Sequence, residues 1–185
     1  MDGPISTLSV ERYDITEERG FLPAEDPVWS FGEGADSKLK DLQTLADTLP
    51  ELLERHELRK TVDRLGTLDE GLLEGFDRQN LMLAARIYAF LTSAYVHQIG
   101  EPRSTLVPKC LAVPFASLSR RLGRKFPILS YDLYALNNWR LKAGKEIRVD
   151  KLDTIQKFVR IPDEPWFILV HVEIEAEAGP EGRRS

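Results

Sequence analysis

Apolar residues of the first half recur at spacings of three and four. Leu39, Leu42, Leu45, Ala46 and Leu49 mark one buried face and predict a helix from about Ser37. Pro50 ends it, and its fixed φ suits the first turn of a second helix, ELLERHEL. A third helix, LRKTVDRL, places Leu58, Val62 and Leu65 together and stops at Gly66. Asp77 to His97 is apolar nearly all round, which predicts a long central helix. Gly100 and Pro102 then break the chain. Thr105 to Pro114 reads as extended, because Pro108 and Pro114 disfavour helical geometry in the residues before them. Pro114 is expected to open a helix, FASLSRRL, closed by Gly123. Another helix is predicted from about Ser130 to Leu141, then a polar turn, KAGKEIRVD. Asp150 is a candidate N-cap for a helix KLDTIQKF.

Both ends are polar. Met1 to Gly34 is rich in Gly, Pro and acidic residues and reads as an extended segment laid over a helical body; GPEGRRS, at residues 179–185, reads as a disordered tail. Between the predicted helices and that tail lies WFILVHVEIEA, Trp166 to Ala176, which periodicity leaves open. It alternates like a strand, but Asp163 could cap a helix with Pro165 in its first turn, and Phe167, His171 and Ile174 would then share a face.

Composition narrows the function classes. The 185 residues are 42% apolar and 30% charged, as in a globular protein of one domain or one plus part of another. Net charge is −5, and the one basic cluster, Ser119 to Lys125, reads as a solvated helix end, so a nucleic-acid partner is not expected. Cys110 is the single cysteine, which excludes an internal disulfide and fits a reducing, cytoplasmic compartment. No basic start followed by an apolar core opens the chain, so no secretory leader is expected. The longest apolar stretch, Leu81 to Val96, is too short for a membrane span and contains Arg86.

Two segments carry candidate chemistry. FPILSYDLYALNNW, Phe126 to Trp139, and WFILVHVEIEA have the composition of buried elements, yet hold two phenols and an imidazole. That mixture suggests a pocket for a flat, mostly apolar ligand. His171 is equally consistent with a core histidine bonded to a backbone carbonyl. Tyr131, Tyr134 and Ala135 share a face if helical, and Asn137 and Asn138, poor helix formers, hint at specific bonds. His56 and His97 sit where helices are expected to end. No HExxH, phosphate loop or GxSxG occurs, and the pairs Glu17–Glu18 and Glu173–Glu175 lack a catalytic neighbour pattern, so neither a protein-only metal site nor a hydrolase is supported.

Four blocks carry a resemblance. YDITEERGFLP, LPELLERHELRKTVDRL, LAVPFASLSRRLGRKFPILSYDLYALNNW and WFILVHVEIEA resemble, in order, segments of the indoleamine 2,3-dioxygenases. Those enzymes use haem b and O₂ to open the indole ring of L-tryptophan or related indoleamines to N-formylkynurenine. The resemblance implies an all-α fold: a small N-terminal helical domain, residues 1–125, and the first helices of a larger haem-binding domain, residues 126–178. It also implies that WFILVHVEIEA is helical.

Position by position, Tyr131, Tyr134 and Ala135 resemble the distal-side residues under which the indole lies. Phe167 and Ile168 resemble the aromatic pair that stacks on substrate, with an aliphatic residue in the second place. His171 falls where vertebrate members carry a small hydroxyl residue; it resembles the distal histidine of tryptophan 2,3-dioxygenase, which accepts a hydrogen bond from the indole N–H. The family's proximal histidine and its carboxylate-binding arginine lie in a second half with no counterpart before Ser185. The expectation is therefore an N-terminal half supplying a distal wall and holding haem only with a complementary C-terminal half. The alternative is a haem-free remnant acting as an interaction module, paired with another dioxygenase chain.

Overall fold

Asp36 and Asp77 start the two best-defined helices. Asp36 accepts from the Lys38 N–H at 2.9 Å and Asp77 from the Asn80 N–H at 2.8 Å, each satisfying a donor that the first helical turn leaves open. The computed structural model of the chain describes Thr16 and residues 19–179. Most of the N-terminal block and residues 180–185 of the tail therefore lie outside the described residues.

Helices dominate. Helix α1 (Ser37–Asp47) turns at Thr48 into α2 (Leu49–Glu54), which carries Pro50 in its first turn; α3 (Leu58–Val62) follows. After a 3₁₀ turn at Glu70–Leu73, the long helix α4 (Arg78–Val96) runs through the middle with an unbroken buried stretch from Leu83 to Leu91. It packs against α1, α3 and α5 (Lys109–Arg121). The buried faces of these helices form one core, including Leu42, Leu49, Leu58, Ile87, Phe90 and Leu118.

Helix α5 corrects an expectation. Pro114 lies inside the helix instead of opening it. The Pro108 carbonyl takes the N–H groups of Leu111 and Ala112 at 3.0 and 2.9 Å, so the helix starts one turn earlier. Pro114 removes one backbone bond, yet Cys110, Leu111, Phe115 and Leu118 are all buried on the core face. Packing of that stripe outweighs the local preference of residues before proline.

The segment from Ser130 to Thr154 departs further from the helices expected there. Residues Asp132–Leu136 form a single π-helical turn, closed by Asn137 N–H donating to the Asp132 carbonyl at 2.8 Å. Asn138 then leaves the helix. Its amide donates to the carbonyls of Tyr134 and Gln156 at 2.9 and 2.8 Å, while its Oδ1 accepts the Gln156 N–H at 2.7 Å. Those three bonds anchor a small antiparallel hairpin of β1 (Trp139–Leu141) and β2 (Leu152–Thr154), in register Trp139–Thr154, Arg140–Asp153 and Leu141–Leu152. Asp150 sits in a 3₁₀ turn, Val149–Lys151, that leads into β2, not in an α-helix.

The last element is helical, as the resemblance implied: α6 spans Asp163–Glu177. Asp163 and Glu164 occupy its first turn, where negative charge is favoured, and Pro165 falls where the missing N–H costs little. Ile168, Leu169 and Val172 turn inward to a second core with Leu22, Ala135, Trp139 and Leu152. The irregular residues around Leu22 strap across this core. Gly20 has φ of +56°, and a Cβ there would strike the Glu175 carbonyl of α6. Among the described residues, no helix is long and apolar enough to cross a membrane.

Candidate functional site

The π-turn and α6 lie side by side, and four of the six candidate residues meet along that seam. The rings form a continuous row: Tyr134 and Phe167 have centroids 6.4 Å apart, Phe167 and His171 4.3 Å, and His171 and Tyr131 6.0 Å, edge-on. Tyr131 is 44% exposed and Phe167 47%, so the row forms an open aromatic face. At its inner end Tyr134 stacks near Phe158 and Phe90, which tie the face to the main core.

The other two candidates stand behind it. Ala135 and Ile168 are fully buried in the second core, against Leu22, Trp139 and Leu152. Their side chains shape the wall from within and leave Phe167 as the ring on the open side of α6.

The seam is fixed by carboxylates. Tyr131 Oη donates to Glu175 Oε1 at 3.0 Å, and Tyr134 Oη donates to Glu164 Oε1 at 3.4 Å. Burial, followed by the neighbouring carboxylate, pushes both phenols up to about 12. They are therefore neutral donors at physiological pH. Glu164 also accepts the N–H groups of Phe158 and Val159 at 2.8 and 2.9 Å, holding the chain that enters α6. On the other flank, Arg124 pairs with the Asp132 carboxylate, and Ser130 Oγ donates to Asp132 at 2.5 Å. Sequence reading missed all of these supports. Only the four-residue step from His171 to Glu175, which puts both on one face of a helix, could have signalled one of them.

His171 Nδ1 lies 2.7 Å from the Phe167 carbonyl oxygen. A carbonyl cannot donate, so Nδ1 carries the proton, and in the neutral ring Nε2 is left with its lone pair. The core-histidine reading anticipated that carbonyl; the aromatic row adds that the ring stands among Phe167 and Tyr131. His56 and His97 are elsewhere: His56 Nδ1 is 2.8 Å from the Ile99 carbonyl, and His97 caps α4. No group of three His, Cys, Asp or Glu side chains placed to hold a metal occurs among the described residues.

Residues 9–181 match the family model of indoleamine 2,3-dioxygenase. The chain belongs to the indoleamine 2,3-dioxygenase family. Its relatives include human indoleamine 2,3-dioxygenase 2, 36% identical over 94% of this chain and 41% of the relative. The indoleamine 2,3-dioxygenase of Saccharomyces cerevisiae is 31% identical over 90% of this chain and 37% of its own length. A Haliotis diversicolor protein named myoglobin is 29% identical over 76% of this chain and 35% of its length. The chain thus spans less than half the length of these relatives. Membership in the indoleamine 2,3-dioxygenase family agrees with the all-α architecture, in which, among the described residues, the named strands form one short hairpin.

Proposed function

We propose that the chain supplies the distal wall of a haem-dependent dioxygenase that converts L-tryptophan or a related indoleamine, with O₂, to N-formylkynurenine. The observation that carries this reading is the His171 lone pair at Nε2, presented from an exposed aromatic face and oriented by the Phe167 carbonyl. Phe167 offers its ring to the indole, Tyr131 closes the face at its outer end, and Nε2 accepts the indole N–H. The wall binds, orients and excludes water; it needs no charged group for that.

The face suits one side of a planar macrocycle: it is aromatic and open, with a single imidazole. Bound there, haem b would supply the activation of O₂, and Tyr131, Phe167 and His171 would line its distal side. The haem-protein names among the relatives support the same cofactor. A residue to hold its iron would come from a complementary C-terminal half, in keeping with the greater length of the relatives. Phe126, Ile128, Trp166 and Ile174, all exposed, are candidate contacts for that half or for another dioxygenase chain. Two cores, one drawn mainly from residues before Lys125 and one mainly from residues after Ser130, support a domain boundary near residue 125. A free, buried Cys110 supports a cytoplasmic location.

The test is steady-state turnover of L-tryptophan against 1-methyltryptophan by the haem-loaded protein. His171→Ala is expected to lower kcat/KM for tryptophan about tenfold, the worth of one hydrogen bond, and to narrow the preference over the methylated analogue. An unchanged preference removes His171 from the reading. If haem taken up with the complementary half yields no N-formylkynurenine, the dioxygenase reading itself fails; if no haem is taken up at all, a haem-free interaction module remains.

A further inference from the structure

A cavity of about 300 Å³ shares no residue with the aromatic face. Gln43, Asp47 and Pro50 form one wall, from the end of α1 and the start of α2. Arg140 of β1, with Ile155, Gln156 and Lys157 just beyond β2, forms another, and Trp29 and Ser30 of the N-terminal strap complete the lining. Its volume lies at the small end of the range for ligand pockets, which excludes dinucleotides and peptides.

The polar groups here are incompletely used. Gln43 Nε2 donates to Asp47 Oδ1 at 3.0 Å, and Gln156 Nε2 donates to the Ala46 carbonyl. These bonds fix which end of each amide is oxygen, and both Oε1 atoms are buried without a hydrogen-bond partner. Gln156 is itself fully buried.

Charge then selects the ligand. Arg140 is already engaged, 2.9 Å from Asp153 and stacked over the Trp29 ring. Lys157 makes no close ion pair among the described residues, although its charge is felt by Glu164, so of the two lining cations it is the one open to an incoming anion. The Asp47 carboxylate calls for a donor-rich cation. An inorganic anion would face Asp47, and a simple cation would face Lys157 and Arg140. We propose that this cavity is a second small-molecule site and that it binds a zwitterion, a free α-amino acid, with its ammonium toward Asp47 and its carboxylate toward Lys157. The exposed part of the Trp29 indole covers the ligand's side chain. The proposal does not depend on the dioxygenase reading.

The experiment is NMR titration of the chain with L-phenylalanine, phenethylamine and 3-phenylpropionate, following the Gln156 amide and the Trp29 indole. L-Phenylalanine is expected to saturate at millimolar concentration, and each single-charge analogue to bind about tenfold or more weakly. Lys157→Met and Asp47→Asn should each weaken the amino acid by a similar factor, with Lys157→Met deciding if Asp47→Asn unfolds the α1 corner. Absence of saturable shifts, equal binding of the analogues, or shifts confined to Tyr131 and Phe167 would each overturn the site.

Discussion

Tyr131 donates its phenolic proton to Glu175, 3.0 Å away, and so ties the π-turn to the last turn of α6. The bond is local in effect but decisive for geometry, because Tyr131 also meets His171 edge-on within the same row of rings. Burial comes first among the causes that push this phenol up to about 12, followed by its bond to Glu175 and that carboxylate's charge. Glu175→Gln removes the charge and keeps an acceptor. Titrating phenolate absorbance should therefore show one tyrosine ionising at lower pH in Glu175→Gln than in the unaltered chain, with Tyr131→Phe deleting that transition. A titration curve identical in both proteins would mean that Tyr131 does not engage Glu175 in solution.

Asp132 anchors the other side of the turn. Burial raises its pKa, but hydrogen bonds from Arg124 and Ser130 and the guanidinium charge outweigh it, so the carboxyl sits below its ordinary value of 3.8. A depressed carboxyl stabilises the fold above its unfolded pKa, and that contribution is lost as pH falls through the folded one. Asp132→Asn is expected to cost about 1–2 kcal/mol at neutral pH, and the difference from the unaltered chain should shrink below pH 4. Urea unfolding at pH 7 and near pH 3 measures both values. A penalty that stays constant with pH counts against the pair.

How much of this was visible beforehand depends on the range of the interaction responsible. Leu39, Leu42 and Leu45 repeat within one helix, and Asp36 and Asp77 cap within three residues, so α1 and α4 were legible from local pattern. Tyr134 and His171 stood out by composition, as a phenol and an imidazole in apolar runs, but their grouping with Phe167 came only through resemblance, since nothing nearby in the chain says that residues 134 and 167 touch. The hairpin was not legible. Each strand has three residues, too few for alternation to register, and the bonds that specify it run from Asn138 to Gln156, eighteen positions away. Asn138 looked misplaced in a helix because its distant partner, Gln156, lies outside the helix.

Glu164 concentrates three such partners on one carboxylate. It takes the N–H groups of Phe158 and Val159 and the Tyr134 hydroxyl. Burial is the largest influence and raises its pKa against those bonds. A raised carboxyl reverses the sign found for Asp132: stability from this group is present below its unfolded value and declines as pH climbs through the folded one, which burial places above the ordinary 4.5. Glu164→Ala should destabilise by about 2–3 kcal/mol by leaving two backbone donors unpaired, and Glu164→Gln, which keeps one oxygen, by less. Thermal unfolding of the two variants gives the comparison. Equal losses would mean that packing matters at this position and the accepted hydrogen bonds do not.

Arg86 is the most consequential buried polar residue in the molecule. From the middle of α4 its guanidinium donates to the Asn137 carbonyl at the exit of the π-turn and to the Val28 carbonyl of the N-terminal strap. Burial pushes it down to about 9, with Asp47 pulling the other way, so the charge is kept at neutral pH. Arg86→Met preserves the apolar stem but strands two carbonyls, at an expected cost of about 2–4 kcal/mol, a large share of the stability of a domain this size. Arg86→Lys should recover little of that, because one ammonium cannot reproduce the spread fork that reaches both acceptors. Chemical denaturation of the two variants discriminates. If Lys restores the full stability, only the charge matters at residue 86; if it does not, the fork itself joins the strap to the turn that carries Tyr131 and Tyr134.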